Sequence, residues 1–131
     1  MLTILQLGTD RLPDEGLRLG TVRRPPRGVR KERYAPDNWF DLWLPQLAPS
    51  QDLIDTFRAS NGTEQAWTRF ERAFQKELAA PDTRRWLELL ALLSHTTNFS
   101  IGCYCEDESR CHRGILRAIF SELGANGRKA K

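Results

Sequence analysis

Several features that mark common protein classes are missing from this chain of 131 residues. No apolar run reaches the roughly 18 residues that a membrane-spanning helix needs, and no heptad or fixed-period repeat is present. The first residues, MLTILQLGTD, have neither a basic n-region nor a small-residue cleavage site, so we expect no signal peptide and a cytoplasmic location. Cysteine occurs only between positions 103 and 111, which is not the pattern of a secreted disulfide framework, and we expect the thiols to be reduced.

The composition fits one globular domain. The hydrophobic fraction of 40% is too high for general disorder, and the length is that of an ordinary single domain. The net charge of +3 is unevenly distributed, because residues 23–33 carry six Lys or Arg against one Glu. We expect a single domain over residues 1–127, followed by a disordered basic tail over residues 128–131.

Short strands and amphipathic helices alternate along the chain. Apolar, β-prone runs predict strands at residues 3–8, 19–23 and 98–105. Apolar spacing and Pro or Gly stops predict helices at residues 37–44, 50–60, 63–80, 83–95 and 111–123. The helix at 83–95 has an apolar face wide enough for a heavily covered element. This alternation predicts an α/β domain with a small, mostly parallel sheet flanked by helices.

The sharpest chemical feature is the tripeptide Cys111-His112-Arg113 at the start of the last predicted helix. In α/β proteins, a helix N-terminus that follows a strand forms the usual crevice for an anionic ligand. A thiol there acquires a lowered pKa, a histidine can transfer a proton near neutral pH, and an arginine can bind phosphate or carboxylate. We therefore consider Cys111 a candidate nucleophile or redox thiol, His112 a candidate acid or base, and Arg113 a candidate ligand-binding residue.

Other interpretations of this segment were weighed against the anion site. A tyrosine-phosphatase loop is excluded, because the sixth position after Cys105 holds Cys111 and not arginine. The cysteines and His112 are suitable zinc ligands, but adjacent residues rarely both reach one ion and no Cys-x-x-Cys knuckle occurs, so we expect no metal and no cofactor. A purely structural interpretation stays open, in which the thiols belong to the core while His112 and Arg113 cap the helix and form pairs.

The basic segment RRPPRGVRKER, residues 23–33, is the third notable feature. Its prolines and glycine exclude regular secondary structure, so it is expected to form a shaped loop. Our working hypothesis is a phosphate- or nucleotide-like anion site in which Arg23, Arg27 and Gly28 join Arg113. The alternatives are a solvated charge run and a non-catalytic module that binds nucleic acid or protein through this loop. No known nucleic-acid-binding signature is present, so such binding would be unspecific.

At RRPPRGVRKERYAPDNWFDLWLPQLAPS and CYCEDESRCHRGIL, the chain resembles the YeaO-like family, which carries the domain of unknown function 488. The matching elements are the PRGV loop, the stretch from Trp39 to Ser50, the Trp–Phe helix, and Cys105 followed by the Cys-His-Arg turn. Many members read VDRLWPRGV where this chain reads TVRRPPRGV, so an acidic residue and a tryptophan are absent. The resemblance implies a compact cytoplasmic α/β domain with the PRGV loop and the Cys-His-Arg turn as its hallmark sites, and implies no particular activity.

Overall fold

The computed structural model describes residues 1–129. Its strands are β1 (Leu2–Gln6), β2 (Leu17–Gly20), β3 (Leu42–Trp43), β4 (Phe99–Cys103) and β5 (Gly127–Lys129). Its α-helices are α1 (Gln51–Ala59), α2 (Glu64–Leu78), α3 (Pro81–Leu93) and α4 (His112–Glu122). The strands form one sheet in the order β3-β2-β4-β1-β5, and every pairing in it is parallel. The predicted single α/β domain with a parallel sheet is therefore confirmed.

The two central strands explain where the core lies. β1 is buried at four of its five positions and β4 at every position, as expected for parallel strands covered on both faces. The larger apolar cluster packs these strands against α2, α3 and α4. A smaller cluster at the carboxyl ends of the strands comprises Leu5, Leu7, Val22, Phe40, Cys103 and Cys111. Cys103 and Cys111 therefore belong to a second core that is distinct from the first.

The helices follow the capping and spacing signals in part. Ser50 caps α1 by accepting a hydrogen bond from Leu53 N, as predicted, and Thr63 caps α2 in the same way. The predicted stripe of α2 is buried at Phe70, Phe74 and Leu78. The prediction of a heavily covered α3 was wrong, since four of its large apolar side chains are exposed: Trp86, Leu89, Leu92 and Leu93. No helix within residues 1–129 is long and apolar enough to cross a membrane.

The helix predicted at residues 37–44 does not form. This segment instead makes turns, with Asn38 in the left-handed region at φ 64°, and then enters β3. Hydrogen bonds to β2 replace those of a helix: Asp41 N donates to Arg18 O, and Leu44 N donates to Gly20 O. Pairing with a neighbouring strand has overridden the local helical preference.

The prediction of a disordered tail over residues 128–131 also needs correction. Residues 128 and 129, which the charge pattern placed in a disordered tail, belong to β5 and pair with β1. Arg128 donates to Thr3 Oγ1 at 2.9 Å and pairs with the Asp14 carboxylate. The rest of the proposed tail, residues 130 and 131, lies outside the described residues. The basic side chain at 128 thus fastens the edge strand to the domain.

Candidate active site

The chain brings its three cysteines together at the carboxyl-terminal edge of the sheet. Cys103 is the last residue of β4, and Cys111 is the residue at which α4 begins. Residues 104–110 form a loop that leaves the sheet and returns through a short 3-10 turn at Glu108–Arg110. Ligands of open α/β sheets usually bind at this edge. The fold therefore places sulfur atoms where such proteins usually carry their chemistry.

Two of the sulfur atoms are buried and adjacent. Cys103 and Cys111 are 1% and 2% exposed, and their Sγ atoms lie 2.6 Å apart. Leu5, Leu7 and Phe40 belong to the same small apolar cluster. Both are free cysteines in this structure. The surroundings of Cys111 are thus apolar on one side and sulfur on the other.

His112 is held by a carbonyl group in the loop after β2. Its Nε2 lies 2.5 Å from Thr21 O, and because a carbonyl only accepts hydrogen bonds, Nε2 carries the proton. Its Nδ1 lies 3.9 Å from Cys111 Sγ, and the ring meets Phe74 edge-on with centroids 5.9 Å apart. Burial lowers the pKa of His112, which favours the neutral ring. The lone pair of Nδ1 is therefore presented to the thiols.

The third thiol, Cys105, is the exposed one. Hydrogen bonds from Cys103 and Cys111, together with the nearby charge of Arg113, hold the pKa of Cys105 far below the usual range of a thiol. The same hydrogen bonds, and then burial, raise the pKa of Cys103 and Cys111. The first proton to leave the cluster therefore comes from Cys105, where solvent also stabilises the thiolate. Sequence reasoning proposed Cys111 as the nucleophile, whereas these properties favour Cys105.

Arg113 carries buried nitrogen atoms that have no partner. Its side chain is almost fully buried, and Nη2 donates to Glu106 O at 2.9 Å. Its Nε lies 3.8 Å from Glu108 Oε1, beyond hydrogen-bond distance, because both carboxylate oxygens of Glu108 are bound by Arg117. Among the described residues, Nε and Nη1 of Arg113 are the only buried side-chain polar atoms without a hydrogen bond. Such atoms are costly in a folded protein, and they mark a place where an acceptor would bind.

A cleft of about 890 Å³ lies beside Arg113 and Cys111. Its lining includes the end of β1 and Trp67 of α2. Most of its charged lining is acidic, contributed by Asp10, Glu71, Glu106, Asp107 and Glu108. Arg113 is therefore the basic side chain in a cleft lining whose other charged residues are acidic.

The three site residues predicted in the basic loop differ from one another in their surroundings. Arg23 donates hydrogen bonds to the carbonyl oxygens of Pro45, Ala48 and Pro49, so its guanidinium group stabilises the segment before α1. Arg27 is exposed and makes no hydrogen bond or ion pair within residues 1–129, and Gly28 has φ +75° with open space around it. The structure joins Cys111, His112 and Arg113, and no described contact joins Arg27 or Gly28 to them.

The loop after β4 is nevertheless connected to the basic segment. Tyr104, which stands between the first two cysteines, donates its hydroxyl to Arg24 O at 2.9 Å. The Tyr104 ring meets Trp39 edge-on, and its carbonyl accepts a hydrogen bond from Gln6 Nε2. These three contacts fix the backbone immediately before Cys105. The Cys-x-Cys spacing at the end of a strand was the sequence signal for this arrangement.

Comparison with known proteins gives a family and nothing finer. A family model described as the active DUF488-N3 subclade matches residues 2–124, which include the whole cluster of cysteines, His112 and Arg113. Neither the curated proteins nor the solved structures gave a match.

Proposed function

We propose that this chain, which belongs to the N3 subclade of the DUF488 family, is a thiol-dependent enzyme that acts on a small substrate with one anionic group. The family assignment confirms the YeaO-like resemblance. In this proposal Cys105 supplies the reactive thiolate and Arg113 binds the anionic group. His112 orients the cluster and can take a proton through Nδ1. The description of the subclade as active is compatible with an enzyme.

The observation that carries the proposal is the contrast among the three thiols. Cys105 is exposed and has a lowered pKa, while Cys103 and Cys111 are buried and have raised ones. A nucleophile has to be both ionised and accessible, and only Cys105 meets both conditions. The buried thiols then act as hydrogen-bond donors that stabilise its charge.

The substrate class follows from the charges around Arg113. Two guanidinium nitrogens that make no hydrogen bond provide donors for a carboxylate or a phosphate. The acidic lining of the adjacent cleft repels a second negative group. We therefore expect the remainder of the substrate to be uncharged or cationic. A reduced thiolate at the surface also agrees with a cytoplasmic location, which belongs to the same proposal.

Alkylation kinetics test this function. At pH 6 an ordinary thiol with a pKa near 8.5 is only about 0.3% ionised, so we expect iodoacetamide to label Cys105 alone and at a rate that changes little from pH 5 to 8. The Cys105→Ser variant should lose the fast reaction. A rate that rises about tenfold per pH unit, or label on another cysteine, would contradict the proposal.

The role of Arg113 is tested with a charged reagent. Iodoacetate carries the anionic group that iodoacetamide lacks, so the ratio of the two rates reports the local attraction for anions. We expect Arg113→Met to lower that ratio several-fold. Arg117→Met is the matched control, because Arg117 lies one turn further along α4 and is already paired with Glu108. Equal ratios in the wild type and Arg113→Met would remove the anion-binding role.

A second function, unspecific binding of nucleic acid, is favoured by one observation. Arg27, Arg30 and Lys31 are exposed, and none of their side chains forms an ion pair or hydrogen bond within the described part of the chain. Unpaired cations on a fixed loop suit contacts with phosphate groups. Binding of a labelled oligonucleotide that weakens steeply with salt, and that fails after Arg27→Gln, would support this function.

A further inference from the structure

We propose that the three cysteines form a relay that reduces hydroperoxides and ends in a disulfide between Cys103 and Cys111. The inference rests on the proposed role of Cys105 as the nucleophile and adds the reaction class. Group transfer needs one thiol, whereas this site contains an exposed thiol two residues after Cys103 and a buried pair, Cys103 and Cys111, whose Sγ atoms lie 2.6 Å apart. One additional thiol beside a nucleophile is what a two-electron reduction requires, and a third lets the disulfide pass to a buried pair.

Geometry identifies the pair that keeps the disulfide. The Sγ atoms of Cys103 and Cys111 lie 2.6 Å apart, so a bond of about 2.05 Å between them needs little movement. Cys103 ends a central strand, and Cys111 begins a helix that packs on that strand, so the two elements already hold the sulfurs together. Both side chains are buried, and a disulfide between them would be protected from solvent.

Exposure identifies the point of entry. Only Cys105 is accessible to a reagent in solution, and its neighbours are the buried thiols. The Cys105 thiolate attacks the terminal oxygen of the hydroperoxide, the O–O bond breaks, and the alkoxide that leaves takes a proton to become an alcohol. Cys105 is thereby oxidised to a sulfenic acid.

Two further displacements move the oxidation inward. Cys111 loses its proton to His112 Nδ1, which lies 3.9 Å away, and attacks the Cys105 sulfur. Hydroxide leaves, takes that proton and becomes water. Cys103 then loses its proton, which replaces the one that the alkoxide took from solvent, and its thiolate attacks the Cys111 sulfur and releases the Cys105 thiolate. The sum is one hydroperoxide and two thiols converted to one alcohol, one water and one disulfide, and an external thiol attacking at Cys105 reverses the exchange.

The test uses the full chain and one equivalent of hydrogen peroxide. Thiols counted after denaturation should fall from three to one, and peptide mapping should find the Cys103–Cys111 disulfide with Cys105 free for alkylation. We expect Cys105→Ser to slow the loss of thiols at least 100-fold. Cys103→Ala should stop the relay at a Cys105–Cys111 disulfide.

Several outcomes would overturn the relay. Peroxide consumption by Cys105→Ser at the wild-type rate would show that the buried thiols react directly. Accumulation of sulfinic acid on Cys105, with no disulfide in the wild-type protein, would show that the neighbouring thiols do not resolve it. Fast alkylation of Cys105 at pH 6 together with either result would leave the proposed function intact. Slow alkylation would refute the proposed function itself.

Discussion

Replacing Arg113 with methionine should leave the protein equally stable or make it more stable. Arg113 is 5% exposed, and its Nε and Nη1 have no hydrogen-bond partner. Methionine removes the charge and these donors while it keeps an unbranched chain of similar reach. Glu108 is not left alone by the change, because Arg117 binds both of its carboxylate oxygens.

The magnitude follows from two opposing contributions. Each buried polar atom without a partner costs about 1–3 kcal/mol, so removing two of them stabilises the fold by about 2–6 kcal/mol. The lost hydrogen bond from Nη2 to Glu106 O contributes about 1.5–3 kcal/mol in the opposite direction, since its donor is charged. The expected result is a change in unfolding free energy between about −1 and about +4.5 kcal/mol, so that stabilisation or little change is expected. Most substitutions of buried residues instead destabilise, by about 1 kcal/mol.

Urea denaturation at pH 7 measures this change, with two other arginines as references. Arg18 is completely buried and binds Glu15 together with the carbonyls of Thr9 and Asn38, so Arg18→Met should cost about 3–5 kcal/mol. Arg117→Met removes a partly exposed pair and should cost at most about 1 kcal/mol. A loss of more than about 1 kcal/mol in Arg113→Met would show that its nitrogens are satisfied in solution, and the reasoning would fail.

Three further predictions concern stability. Burial raises the pKa of Glu15, but hydrogen bonds from Arg18, Leu12 and Ser100 lower it more, so its folded-state pKa lies below its unfolded value. The stability that its charge provides is present above the unfolded pKa and is lost as pH falls through the folded pKa. The loss of unfolding free energy in Glu15→Gln, measured by urea denaturation, should therefore be full at pH 7 and shrink below about pH 4. A loss that does not depend on pH would contradict this. Gly102→Ala should destabilise by about 1–3 kcal/mol, because a Cβ there would lie 2.7 Å from Leu5 O; an unchanged urea midpoint would contradict it. Deleting residues 127–131 should lower the midpoint, since β5 pairs with β1, and deletion of 130–131 alone is the control; equal midpoints would mean that β5 contributes nothing.

The fold was predictable wherever a segment carries its own signal. The stripe of α2 and the cap at Ser50 depend on residues within one or two turns, and both appear as expected. β3 and β5 are two and three residues long and exist only because β2 and β1 lie beside them. No local pattern encodes such a strand. The same is true of residues 37–44, where hydrogen bonds to β2 decide the conformation.

The candidate site was predictable in its location but not in the roles of its residues. The sequence placed a thiol, a histidine and an arginine at the start of a helix, and they are there. Which sulfur is ionised depends on burial and on two other sulfurs brought together by the sheet, so the order of the residues does not reveal it. Arg113 is similar, because two of its nitrogens make no hydrogen bond while the neighbouring Glu108 carboxylate is bound by Arg117.

The positive charge is concentrated on the basic loop, whereas the buried donors without a hydrogen bond, among the described residues, belong to Arg113. The salt dependence of anion binding distinguishes these two sites. The basic loop holds most of the positive charge, yet Arg23 is bound to carbonyl groups and Arg33 is paired with Asp37. Contacts of its exposed cations with a polyanion would be screened over about 8 Å at physiological salt. Arg113 is buried and therefore weakly screened. Binding of a small anion at Arg113 should therefore persist at salt concentrations that abolish the contacts of the loop. The measurement is the ratio of the iodoacetate and iodoacetamide rates in about 0.5 M chloride. A ratio on the order of the low-salt value would place the anion site at the buried arginine.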